Sequence, residues 1–124
     1  MNIVDSSGWL EYFSKGPNAK KYLQPLKDTV NLIVPVITIY EVFKVVLRER
    51  GENDALLVAA AMQRGTVSNL TTKIALAASK LSLQYKLPMA DSIILATAQL
   101  NNATLWTQDI DFKDIPSVKY FSKD

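Results

Sequence analysis

Val30-Asn31-Leu32-Ile33-Val34-Pro35-Val36-Ile37 points to the fold class, because a helix opens directly behind it. Its density of β-branched residues suits a buried strand ending near Pro35. Thr38-Ile39-Tyr40-Glu41 comes next, with the spacing of a capping box, and opens a helix that Gly51 stops. A buried strand feeding directly into a helix is half of a βα unit.

The same alternation extends in both directions. Upstream, Asn2-Ile3-Val4 reads as a short strand and Trp9 to Ser14 as a helix that Ser6 or Ser7 can cap. Asn18 to Lys27 is helical but interrupted by Pro25. Downstream, Glu52 to Arg64 is a helix closed by Gly65, and Thr66 to Leu70 is a short strand. Thr71 or Thr72 can cap a helix over Lys73 to Lys86, whose Ile74, Ala77, Ala78, Leu81 and Tyr85 form one apolar stripe. Pro88 precedes a helix over Met89 to Leu100. Ala103 to Trp106 is a strand, Thr107 to Asp114 a loop and Val118 to Phe121 a last strand. This order predicts an α/β fold: a three-layer sandwich whose central, mostly parallel sheet has about five strands. Residues 1–124 are expected to form a single domain.

Composition removes many chemistries. The chain has no cysteine and no histidine, so thiol nucleophiles, Ser-His-Asp triads and His or Cys zinc sites are excluded. Oxygen ligands favour Mg²⁺ or Mn²⁺ over zinc. The net charge of +2 is too small for a polycation, so any nucleic-acid contact depends on local placement of charge. No G-x-G-x-x-G follows a strand, which argues against a dehydrogenase. The first acid is single and the middle strand ends in Pro35-Val36, unlike a phosphoacceptor signalling domain. With no basic-then-apolar leader and no apolar run near ~20 residues, a cytoplasmic protein is expected.

The acids fall where a parallel sheet gathers its ligands, at the carboxyl ends of strands. Asp5 ends the first strand, and Asp109 and Asp111 follow the strand at 103–106. Glu41 and Asp91 lie in first helical turns. Each has a purely structural role open to it: Asp5 as a cap, Glu41 in the capping box, Asp91 on the helix dipole, Asp109 and Asp111 in turns. If they converge instead, only a cation relieves their repulsion. Two divalent ions roughly 3.5–4 Å apart can activate water and stabilise the leaving oxygen of a phosphodiester without any histidine.

Four blocks in this order resemble the PIN-domain family, and within it the VapC-type toxins. They are Ile3-Val4-Asp5-Ser6-Ser7, Pro35-Val36-Ile37-Thr38-Ile39-Tyr40-Glu41-Val42, Leu87-Pro88-Met89-Ala90-Asp91-Ser92-Ile93-Ile94-Leu95-Ala96-Thr97-Ala98 and Leu105-Trp106-Thr107-Gln108-Asp109-Ile110-Asp111-Phe112. The resemblance implies an Mg²⁺- or Mn²⁺-dependent endoribonuclease, the toxin of a type II toxin–antitoxin system. It places Asp5, Glu41, Asp91 and Asp109 in the catalytic metal cluster and leaves open whether Asp109 or Asp111 is the fourth acid. It makes Ser6 and Thr107 hydroxyls that orient a ligand or water.

The stretch between Asp54 and Asp91 carries no acid but holds Arg64, Lys73, Lys80 and Lys86. With Lys44 and Arg48 on the Glu41 helix, these are the candidate contacts to RNA phosphates. Few aromatics are placed for stacking, so little reading of bases by stacking is expected. The helices around Trp9-Leu10-Tyr12-Phe13 and Val42-Phe43-Val45-Val46-Leu47 are apolar on more than one side, which calls for burial or a partner. The resemblance implies both a homodimer and a VapB-type antitoxin whose C-terminal segment lies in a groove near the first helices. A non-catalytic RNA-binding or protein-interaction module is the alternative.

Overall fold

The computed structural model describes residues 1–123. Among the described residues, five short strands form the sheet: β1 (Asn2–Val4), β2 (Ile33–Pro35), β3 (Thr66–Ser68), β4 (Thr104–Thr107) and β5 (Val118–Tyr120). β1, β4 and β5 pair in the order β1-β4-β5, β2 pairs with β3, and a parallel bridge from Asn2 to Leu32 joins the two sets. Every pairing is parallel, with Val4 opposite Trp106, Pro35 opposite Ser68 and Thr107 opposite Tyr120. Across the molecule the order is therefore β3-β2-β1-β4-β5. The chain builds outward from β1 to one side, then returns to build on the other, so the order reverses between β1 and β4. That is where an open parallel sheet offers a crevice at its carboxyl ends.

The strands alternate between two cores, which shows that both faces of the sheet are covered. Ile3, Ile33 and Leu105 join one core with Ile94, Leu95 and Phe112. Val4, Val34 and Trp106 join the other with Trp9, Tyr22, Val42 and Met62. Helices α5 (Thr72–Tyr85) and α6 (Met89–Leu100) cover the first face. Helices α1 (Ser6–Phe13), α3 (Val36–Arg50) and α4 (Glu52–Met62) cover the second, with the short α2 (Leu23–Lys27) beside α1. The result is the expected three-layer α/β sandwich. The apolar stripe of α5 is buried at Ile74, Ala78 and Leu81, and Thr71 Oγ1 caps the helix by accepting from the Ile74 amide at 3.2 Å.

Several expectations at element ends are corrected. The second strand covers only Ile33–Pro35, because Thr29–Asn31 coils into a 3₁₀ turn that leaves Val30 in solvent. α3 starts at Val36, two residues early, so Thr38-Ile39-Tyr40-Glu41 forms no capping box. Instead the Thr38 hydroxyl donates to the Pro35 carbonyl at 2.6 Å, and Glu41 moves to the second turn, out of reach of its own helix start. α1 begins directly after Asp5 rather than at Trp9. Gly8 permits this early start. A Cβ there would stand 2.6 Å from Tyr22 Cε1 and 2.7 Å from Val4 Cγ1, so the helix can lie against the strand and Tyr22 only without one. Among the described residues, no helix is long and apolar enough to cross a membrane.

Candidate metal centre

The crevice between β1 and β4 is acidic. β1 delivers Asp5, which is 3% exposed, and the segment after β4 delivers Asp109 and Asp111. α6 begins at the same edge and brings Asp91 in its first turn. Oxygens of Asp91, Asp109 and Asp111 all lie within 4.8 Å of one another. Both acids of the Asp109/Asp111 pair thus enter the set. Asp109 Oδ1 accepts from the Asp111 amide at 2.9 Å, and that turn points both side chains toward Asp91.

Asp5 and Glu41 lie beside this trio, each fixed by hydroxyls. Asp5 occupies the position before α1 but makes no capping bond. Its Oδ2 accepts from Ser7 Oγ and from Thr107 Oγ1, each at 2.8 Å. Thr107 Oγ1 in turn accepts from the Asp109 amide at 2.9 Å, so one hydroxyl couples the β1 acid to the β4 acid. Glu41 Oε1 accepts from Ser6 Oγ at 2.6 Å, tying α3 to the start of α1. Ser7, which the four acidic blocks did not single out, joins the site through its bond to Asp5. Its signal was present, since a hydroxyl two residues after a strand-end carboxylate is within reach of it.

Electrostatics show the crowding. Asp91 is pushed up to about 7, first by burial and then by the charges of Asp5, Asp109, Glu41 and Asp111. Asp5 is pushed up to about 6, mainly by burial, with Ser7 and Thr107 pulling it back and Asp109 adding repulsion. Among the described residues no cation of the chain answers this charge, and the one ion pair is Arg48–Glu49, an exposed contact of 3.6 Å on α3. Hard oxygen donors, close spacing and uncompensated charge are the properties that a divalent ion satisfies, so the residues present fit Mg²⁺ or Mn²⁺.

The candidate RNA contacts Lys44, Arg48, Arg64, Lys73, Lys80 and Lys86 are all exposed. None is hydrogen-bonded or ion-paired to the acidic set among the described residues. Lys44 is one helical turn from Glu41, and its Nζ lies 5.6 Å from the centre of the Tyr40 ring.

The model of the PIN domain family matches residues 3–118. Curated protein sequences give no match. Among solved structures, a toxin–antitoxin complex from Klebsiella pneumoniae is similar at a TM-score of 0.83 and 28% identity, over 98% of this chain and 99% of that one. DNA-bound VapBC from Salmonella typhimurium gives a TM-score of 0.75 at 15% identity over 100% of both chains. Mycobacterium tuberculosis VapC20, a sarcin-ricin loop cleaving toxin, gives 0.72 at 16% identity over 100% of this chain and 92% of that one. The last two identities speak for the fold alone. Family match, strand order and the four acidic blocks lead to one conclusion: this chain belongs to the PIN-domain family, with the VapC-type likeness its sequence implies.

Proposed function

We propose that the chain is a divalent-metal-dependent endoribonuclease and the toxin of a type II toxin–antitoxin pair. The observation that carries this reading is the meeting of acids from four separate segments at one sheet edge, three of them with oxygens within 4.8 Å. Asp91, Asp109 and Asp111 would hold Mg²⁺ or Mn²⁺, with Asp5 and Glu41 completing the acidic wall. The ion, when bound, supplies Lewis-acid charge for hydrolysis of an RNA phosphodiester.

The chain's own part is preorganisation. Thr107 and Ser7 keep their hydroxyl protons on Asp5 Oδ2, which holds that carboxylate as an acceptor in one orientation. Ser6 does the same for Glu41 Oε1. Exposed Lys44, Arg48, Arg64, Lys73, Lys80 and Lys86 would hold the phosphates of the RNA on either side.

A groove of about 310 Å³ between α1, α3 and α4 supports an antitoxin as partner. Leu10, Phe13, Val45, Val46, Leu57 and Val58 line it, and Glu49, Arg50 and Asp54 stand among them. An amphipathic segment of a VapB-type antitoxin fits such a lining. We also place the toxin in the cytoplasm as a homodimer and treat residues 1–124 as one domain.

Purified protein assayed on several RNA classes with Mn²⁺, with and without chelator, tests the reading. Chelator-sensitive cleavage that disappears in Asp5→Asn and in Asp91→Asn, both still folded, is the expected result. Full cleavage by either variant would sink the site. No chelator-sensitive cleavage of any RNA would favour a binding module that keeps the fold without turnover.

A further inference from the structure

Behind the acidic crevice lies a second polar network that the proposed chemistry does not use. Asn18, in the segment between α1 and α2, is 4% exposed. Its Nδ2 donates to Gln108 Oε1 at 3.0 Å and to the Ser122 carbonyl at 2.9 Å. Gln108 is 8% exposed and stands between Thr107 and Asp109. Successive side chains of extended backbone point to opposite sides. Thr107 and Asp109 therefore face the crevice with Asp5, Asp91 and Asp111, while Gln108 faces Asn18.

We propose that Asn18 is a positioning residue for the metal centre, holding Gln108 from the far side of the β4 exit so that Thr107 and Asp109 keep their alignment. The proposal rests on the metal-dependent reading above. Its geometry is tightly determined. The Ser122 carbonyl is an acceptor only, so the Asn18 atom facing it is the nitrogen, and the same nitrogen then requires an oxygen of Gln108. Both amide protons are spent on two segments distant in the chain.

Asn18 is itself anchored. Its backbone N–H donates to Glu11 Oε2 at 2.7 Å. Gly16 leaves room for that carboxylate, since a Cβ there would collide with Glu11 Oε1. On the other side, Phe121 N–H donates to the Thr107 carbonyl at 2.9 Å, and the Gln108 N–H points at Ser7 Oγ at 3.4 Å. Rotation of Gln108 would disturb the Thr107 hydroxyl that joins Asp5 to the Asp109 amide.

Asn18→Asp keeps the shape and removes both donors, leaving a carboxylate against a carbonyl that cannot turn away. Gln108→Leu removes the other partner and serves if the first variant folds poorly. Leu81→Ala, a cavity in the α5 core, controls for loss of stability alone. Three readouts are compared: hydrogen exchange of the Asp109 amide by NMR, Mn²⁺ affinity by electron spin resonance, and kcat and KM for RNA cleavage. The Asn18 and Gln108 variants are expected to lose protection at Asp109, to bind Mn²⁺ several-fold more weakly and to lose about ten-fold or more in kcat with KM nearly unchanged. The double variant is expected to be no worse than either single one.

Unchanged Asp109 protection and Mn²⁺ affinity in a folded Asn18→Asp protein overturn the proposal. Equal losses in Leu81→Ala at matched melting temperature also overturn it. A wild-type protein that binds Mn²⁺ but cuts no RNA refutes the ribonuclease reading instead, and Asn18 is then judged on amide exchange and Mn²⁺ affinity. Absence of Mn²⁺ binding by the wild type defeats both.

Discussion

Replacing Asp91 by Asn should make the metal-free protein more stable at alkaline pH while removing its response to divalent ions. Asp91 has its carboxyl raised from 3.8 to about 7 by burial and by four neighbouring acids. The folded state therefore holds this proton more tightly than the unfolded chain does. The stability from that protonation is fully present below pH 3.8, declines as pH rises through about 7 and is absent above it. A displacement of that size corresponds to about 4 kcal/mol for a fully buried group. Asp91 is only partly buried, so solvent screening reduces the effect to about 2 kcal/mol. For a chain of this length that is roughly 4–10 °C in melting temperature. Thermal melts followed by circular dichroism, in chelator, are expected to show Asp91→Asn above wild type at pH about 8 and the gap closing as pH falls toward about 4. Added Mn²⁺ should raise the wild-type melting temperature and leave the variant unmoved. An Asp91→Asn protein less stable than wild type at the alkaline end, or one that Mn²⁺ still stabilises equally, would refute the idea of crowded carboxylates relieved by a cation.

Thr107→Val removes the hydroxyl that joins Asp5 to the Asp109 amide, so it should cost about 1–3 kcal/mol in denaturant melts and lower cleavage with Asp5 still present. A wild-type rate in Thr107→Val would show that this bridge is dispensable. Gly8→Ala should destabilise by about 1–3 kcal/mol, because its Cβ has no room against Tyr22 and Val4; urea unfolding checks it, and a neutral result would mean that α1 shifts freely. Phe13→Glu places a charge in the groove between α1, α3 and α4, and should abolish antitoxin capture in a two-protein binding assay while RNA cleavage persists. Retained capture would move the partner to another face.

The alternation of strands and helices was legible because local composition carries it. Ile33, Val34, Ile3, Val4, Leu105 and Trp106 are apolar without interruption, since both faces of the sheet are covered. Gly51 and Thr71 bound their helices through short-range chemistry that any reading of the chain can use. No capping box forms at Thr38 and Glu41, because the helix opens two residues earlier and each side chain finds another partner, one local and one distant. The competing partners are the Pro35 carbonyl and Ser6 Oγ, and the latter comes from 35 residues away.

Composition alone pointed to hard oxygen ligands as the metal chemistry of a chain without histidine or cysteine. The sequence also placed Asp5, Asp109 and Asp111 after strands and Asp91 in a first helical turn, because those positions follow from periodicity and turn residues, whereas Glu41 lies a turn deeper in α3 than its spacing implied. Tertiary packing set the strand order, which reverses between β1 and β4, and with it which carboxyl ends face each other. It alone decided that Asp91, Asp109 and Asp111 form the tight set while Asp5 and Glu41 are held beside it by Ser7, Thr107 and Ser6. Repulsion and hydrogen bonding act over a few ångströms in space, and separation along the chain carries no record of that distance.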